Sequence, residues 1–459
     1  MLKGRANDMH LSDTLRSFAV CFILAWLLPF AACGQRLFAK RIFRTAADSV
    51  QYESIRQQIL DNLKADIKSD NNALHVKGEK LLVKIIPSYQ FGVYSFYDDL
   101  MRTDRPDTIT HLGLYLLEGS EIPAKVASCV NLKELDISGC HIQKLPVWLG
   151  KLAHLEVLTI SRSELKRFKL RYVNKSSLKT LNLAYNDLRR IPKGLAEYDS
   201  LEEMNLSGNR LKTLSRALSR PRSLAYVNLG YNRVRHNRMK TNDNVKSINL
   251  SHNGLKNMPF SLGGFNKLIT LNLSYNSIAT IEREIGGRQL LVVNLYNNRL
   301  KKIPGSILSL PGMVNLDLSH NEITAVPPSI QKMKALNVLS LWDNEVSQLP
   351  DELSRLPNLS TLYLQDNQLS YLGDSLSRLP LVKLDVGYNR LTTIPAWVFQ
   401  SAGIQELYVN NNDITRIGEE ILAMPNLRIL YIFGNPIGDE QELQRWVKLL
   451  RQRNVDVKQ

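Results

Sequence analysis

From Ile109 to near the end of the chain, apolar residues return with two superimposed periods. Within a short window they alternate, as in LKTLNLAYN from Leu178, where Leu181 and Leu183 flank Asn182. A period of two is that of a strand with one buried face. Over a longer window the whole pattern recurs. Aligned on L-x-x-L-x-L-x-x-N-x-L, the first positions fall at Ile109, Leu132, Leu155, Leu178, Leu201, Leu224, Val245, Leu268, Leu290, Met313, Leu336, Leu359, Leu381, Ile404 and Leu427. Of the fourteen intervals between these fifteen units, eleven are 23 residues and the others 21 or 22. Such self-similarity means that each unit buries its apolar face only against its neighbours. Each unit therefore contributes one short parallel strand, and fifteen strands at about 4.8 Å make a sheet on the order of 70 Å along its arc.

After the strand comes Asn186, recurring as Asn209, Asn232, Asn253, Asn276, Asn298, Asn321, Asn344, Asn367, Asn389, Asn412 and Asn435. An inward-turned amide can satisfy the backbone groups of the loop beside it, so these asparagines predict a structural ladder. The first three units carry Leu117, Cys140 and Ser163 there, and Cys140 is expected to be a buried thiol. Leu188, Ile191 and Leu195 supply inward residues for the return, while Pro192 and its counterparts Pro123, Pro146, Pro259, Pro304, Pro327, Pro350 and Pro395 keep the return from pairing as another strand. The motif resembles the leucine-rich repeat family over residues 109–437, and its I/L-P-x-x-I/L second half is similar to the variant of the Ras-signalling scaffold and plant intracellular members. The resemblance implies an α/β solenoid: a curved horseshoe with a parallel concave sheet of about fifteen strands.

Solenoid ends expose core and need caps. In residues 438–459, Leu443, Trp446, Val447 and Leu450 form one apolar helical face, a predicted C-terminal capping helix. Residues 34–108 are not repeats. Tyr52, Ile55, Ile59, Leu63 and Ile67 make another helical stripe there, and Tyr89, Phe91, Tyr94, Phe96 and Tyr97 an aromatic cluster, read together as a helical N-terminal cap. Ahead of it, Phe18 to Cys33 is uncharged, follows Lys3, Arg5 and Arg16, and ends in small residues, the layout of a secretory signal over 1–33. Phe30-Ala31-Ala32-Cys33 resembles the lipobox of bacterial lipoproteins, which implies lipid attachment at Cys33. Cleavage after Gly34, releasing an unanchored secreted protein, is the alternative.

Composition narrows the function classes. Apolar residues are 44% and charged residues 22% of 459, near the globular average, which excludes collagen-like and multi-span membrane chains. Four cysteines without a C-x-x-C pair give no disulfide framework, and eight histidines without an i, i+4 pair give no metal site. No nucleophile elbow or phosphate loop is present. The reading is non-enzymatic, with no catalytic residue, no cofactor and no metal. The net charge of +16 is local: residues 162–240 hold 19 Lys and Arg against 6 Asp and Glu, a net +13. Arg189, Arg190, Arg210, Lys212, Arg233 and Arg235 follow the ladder asparagine and predict a basic ridge for an acidic protein or anionic glycan. A nucleic-acid partner is not expected in a secreted chain without a recognition motif.

The positions beside the buried leucines face the concave side. Asn182, Asn205, Asn228, Asn249, Asn272 and Asn294, then Asp317, Ser340, Tyr363, Asp385, Tyr408 and Tyr431, read as variable surface. Aromatics gather there as Tyr231, Tyr275, Tyr296, Trp342, Tyr363, Tyr388, Tyr408 and Tyr431, the residue types that dominate interface hot spots. The expectation is a monomeric, extracytoplasmic binding module, secreted or lipid-anchored, that captures a protein or glycan on its concave face. A cytosolic scaffold engaging a GTPase or phosphatase is the alternative.

Overall fold

A computed structural model describes residues 95–115, 117, 119–237, 242–258, 265–285, 287 and 289–459. The signal segment with Cys33, the helical stripe from Tyr52 to Ile67, and Tyr89, Phe91 and Tyr94 lie outside the described residues. Residues 96–459 form one compact unit.

Every repeat contributes its strand where the alternation places it, from His111–Tyr115 in the first repeat to Ile429–Tyr431 in the fifteenth. All pair in parallel, each with the next, in one register: Leu181 lies opposite Met204, and Leu271 opposite Val293. The inward residues of this register, such as Leu181, Leu183, Leu271 and Leu273, are fully buried. They form one continuous apolar core between the sheet and the returns.

The returns are short helical turns, mostly 3-10. Pro123, Pro146, Pro304, Pro327, Pro350 and Pro395 each stand immediately before such a turn, at its N-cap. Their φ of −53° to −78° is the value the ring imposes, so the proline sets the entry into the turn. A helical turn takes more room per repeat than a strand spaced at about 4.8 Å, which puts the sheet on the inner side of the curve.

The ladder asparagines do the structural work expected of them. Asn276 donates from Nδ2 to the carbonyls of Leu250, Leu273 and Ser274 at 2.8–3.1 Å. Its Oδ1 accepts from the backbone N–H of Asn253 and Leu255. Cys140 replaces this device in the second repeat: its buried Sγ accepts from Leu117 N and donates to Leu114 O. The amide ahead of the ladder residue is where sequence reasoning missed a feature. In repeats three to fifteen that residue is left-handed, with φ from 49° at Arg162 to 71° at Gly434, although only Gly208 and Gly434 among the thirteen are glycines. Because Asn297, Asp343 and Asn411 adopt it as readily as Tyr231 and Tyr275, the reversal belongs to the repeat and not to a ligand site.

Both described ends are closed. The helix Tyr97–Arg102 buries Leu100 completely, and the Lys125 ammonium donates to the carbonyls of Met101 and Thr103. At the other end the helix Glu440–Gln452 buries Leu443, Trp446, Val447 and Leu450, the four residues of the predicted stripe. Asp439 caps it by accepting from Glu442 N at 2.9 Å. The chain then turns at Asn454, φ 61°, and returns as a strand, Asp456–Lys458, paired in parallel with Ile429–Tyr431. This strand was not anticipated, because three residues with a single apolar member carry no period.

Candidate functional site

The eight aromatic residues singled out from sequence do not form one stripe. Tyr231, Tyr275, Tyr296 and Trp342 belong to a track of rings that also takes in two histidines. Centroid separations run 4.0 Å from Tyr231 to His252, 4.1 Å to Tyr275, 5.1 Å to Tyr296, 4.6 Å to His320 and 4.3 Å to Trp342. The first three rings are stacked within 13° of parallel, and the rest tilt edge to face. Six consecutive repeats, the sixth to the eleventh, each contribute one ring. Contacts of this kind are worth about 0.5–1.5 kcal/mol each beyond the area they bury, so the track is a preorganised surface. Sequence reasoning weighed His252 and His320 only as metal ligands. Their alignment with Tyr231 and Tyr275, one residue before the ladder asparagine, was the signal that could have placed them here.

Burial holds the imidazole of His252 below its ordinary pKa, so it is neutral within the stack at pH 7. His320 pairs through Nδ1 with Asp343, while its Nε2 is buried without a partner between the neighbouring rings.

A second cluster occupies repeats twelve to fifteen. The Lys383 ammonium lies over the rings of both Tyr363 and Tyr408, at 5.2 and 4.8 Å, and pairs with Glu406 at 2.7 Å. The Tyr408 hydroxyl donates to the same carboxylate at 2.9 Å, Tyr431 packs edge-on against Tyr408 at 4.8 Å, and Lys458 covers Tyr431 from the added strand. Gln365 bridges the two clusters when its amide is oriented to accept from Trp342 Nε1 at 2.7 Å and donate to Asp385 Oδ2 at 2.9 Å. Tyr388, 47% exposed, joins neither.

Two sequence expectations need correction. Tyr408 is not an exposed contact residue: it is 5% exposed, closed in by Lys383, Glu406 and Tyr431, and burial drives its phenol well above the ordinary tyrosine range. The run Asn182 to Asn294 is not freely variable either. Each of these side-chain oxygens accepts from its own backbone two residues on, at 2.7–3.1 Å, as do Asp317 and Asp385 at 3.0 and 3.2 Å. These are Asx turns that end the strand, a role for which Asn and Asp are chemically suited. The six residues of the basic ridge are all exposed, and Arg210 pairs with Asp187 at 2.7 Å.

Burial raises the Asp385 carboxyl to about 7, against the opposing effects of the Gly387 N–H and Lys383. A carboxyl raised in the fold binds more protons folded than unfolded between about pH 4 and 7. Its contribution to stability is therefore greatest at low pH and is lost as pH rises through that window. Asp385→Asn keeps an oxygen for Gly387 N–H without the charge. The stability of the variant relative to the parent is expected to rise between about pH 4 and pH 8, by up to a few kcal/mol for a carboxyl raised to about 7. Urea titrations across that range check this.

Among the described residues no group of three or more His, Cys, Asp or Glu could hold a metal ion, and no helix is long and apolar enough to cross a membrane.

Comparison with known proteins agrees with this architecture. A leucine-rich repeat model matches residues 176–234, 311–369 and 379–437, and a second matches 131–152. The chain is a leucine-rich repeat protein. Curated relatives include leucine-rich repeat-containing protein 51 of Bos taurus and of Mus musculus, each 35% identical over 69 residues, or 15% of this chain. The chain spans about a third of the length of those relatives, 36%. Among solved structures, a leucine-rich repeat protein of Leptospira interrogans is 25% identical with a TM-score of 0.66, covering 80% of this chain and 100% of that one. The Drosophila Toll–Spatzle complex matches at 22% identity and TM-score 0.64, over 76% of this chain and 53% of that one.

Proposed function

We propose that the protein is a non-enzymatic binding module that captures a protein ligand on the face of its sheet, along the ring track from Tyr231 to Trp342. The observation that carries this is the continuity of that track across six repeats, since the core needs none of it: the inward register is already filled by Leu, Ile and Val. Stacking covers both faces of His252 and one face each of Tyr231 and Tyr275, so this stretch of the track presents more edge than open face. Sugars stack on open ring faces, so this geometry favours a protein over a neutral glycan. The Drosophila Toll–Spatzle complex, one chain of which is similar in fold to this one, is by its name an assembly of two partners. An extracytoplasmic site of action, with release or lipid attachment at Cys33, is the reading that the uncharged run from Phe18 to Cys33 supports.

Replacing Tyr231, Tyr275 and Trp342 together by alanine is expected to weaken ligand capture at least a hundredfold, the effect of losing two hot-spot residues of about 2 kcal/mol or more. Tyr371→Ala, at a residue 55% exposed past the ladder Asn367, is expected to change nothing. Quantitative pull-down from cells that produce the protein reads both. Equal capture by the triple variant and the parent refutes the assignment.

A further inference from the structure

The ridge contains an uninterrupted file of cations. Counting three residues past the ladder position gives Lys166, Arg189, Lys212, Arg235 and Lys256, one per repeat from the third to the seventh. The adjoining repeats on either side have Gln143 and Ala279. All five are exposed, and no carboxylate among the described residues pairs with any of them.

The backbone beneath the file is ordered. Asp187 N donates to Leu165 O, Arg210 N to Leu188 O and Arg233 N to Leu211 O, each at 2.9–3.1 Å, so consecutive repeats are hydrogen-bonded just ahead of the cations. Arg235 N donates to Lys212 O, and Thr213–Leu214 pairs in parallel with His236–Asn237 just beyond them. From Lys166 to Arg235, neighbouring cations therefore spring from backbones about 5 Å apart, the spacing of paired strands. Like charges held side by side repel, and the ion pairs that would relieve them are absent among the described residues.

We propose that Lys166, Arg189, Lys212, Arg235 and Lys256 form a track for a linear anionic glycan, sulfated or carboxylated, separate from the ring track on the sheet. The file is one side chain wide and five repeats long, which matches a chain-like ligand. A bilayer surface would need cations spread over a plane. A single-stranded nucleic acid would need open aromatic faces for its bases, and the rings nearby are occupied: Arg162 lies over Tyr185 at 4.9 Å, the Tyr185 ring lies so close over Gly208 that a Cβ there would meet it at 2.5 Å, and His252 stacks on Tyr231.

Dextran sulfate is the probe, titrated against the full chain. The variant with all five residues changed to Gln is expected to bind at least a hundredfold more weakly. A charge-matched variant, with exposed Arg283, Lys332, Arg378, Arg416 and Lys448 changed to Gln, is expected to bind within a few-fold of the parent. Raising salt from about 50 to about 200 mM should lower parent affinity on the order of a hundredfold, the counterion-release effect of five contacts on a flexible polyanion. Circular dichroism confirms that both variants fold. Equal losses in the two variants would reduce the track to net charge and overturn the proposal. Tighter binding of oligothymidylate, polyglutamate or phosphatidylglycerol vesicles than of dextran sulfate would overturn it as well.

Discussion

Asn276→Ala is expected to lower the free energy of unfolding by about 3–5 kcal/mol, whereas Asn272→Ala, four residues earlier in the same repeat, should cost only about 1 kcal/mol. The two side chains are chemically identical, so the contrast isolates position. Asn276 is buried and serves three carbonyls and two N–H groups. Without it the N–H of Asn253 and Leu255 lose their acceptor in a place water does not reach, at roughly 1–3 kcal/mol each before relaxation, while the carbonyls of Leu250 and Leu273 keep the amides of Asn253 and Asn298 as donors. Asn272 closes a single Asx turn to Ser274 N, part-buried, where water can replace it. Urea unfolding of the two variants measures the difference. Equal costs would mean that the inner ladder is no more than a second row of turns.

Trp446→Ala is expected to destabilise by about 3 kcal/mol and to promote self-association, because the C-terminal helix covers the last repeat. Trp446 is 5% exposed and packs among the residues that close the core, with Arg445 over its ring at 4.9 Å. Its indole Nε1 is buried with no hydrogen-bond partner. That unpaired donor makes Trp446→Phe informative: the apolar bulk is kept, the orphan group goes, and the cost should fall below about 1.5 kcal/mol. Thermal melts and light scattering on both variants check the pair. A Trp446→Phe variant as unstable as Trp446→Ala would show that shape, and not burial, governs the cap.

Most of the fold was legible because repetition averages away local ambiguity. One L-x-x-L-x-L-x-x-N-x-L segment could be helix or strand, but fifteen copies at one period admit only a stacked array, and the four inward residues of the cap helix were readable from helical periodicity. The site was less legible. Side-chain direction at the strand's end depends on the left-handed residue before the ladder asparagine, and non-glycine residues such as Tyr231, His252 and Tyr275 give no composition signal of that conformation. Without it, His252 and His320 looked like isolated imidazoles instead of rungs between tyrosines. Tyr408 and Tyr231 looked alike, although one is sealed under Lys383 and the other is 52% exposed. The Asx role of Asn182 and its counterparts was hidden for a similar reason: an amide on an outward strand position has the same letter whether it faces a ligand or its own backbone.

The central claim is that the sheet face, along the ring track, is where the ligand sits. A photo-crosslinking residue placed singly at Tyr231, Tyr275, Val147 or Arg355 tests it in cells that produce the protein. The first two positions lie on the track, and Val147 and Arg355 stand exposed on helical returns. The account predicts one shared crosslinked protein from Tyr231 and Tyr275 and none from Val147 or Arg355. A crosslinked partner at the returns with none along the track would contradict it.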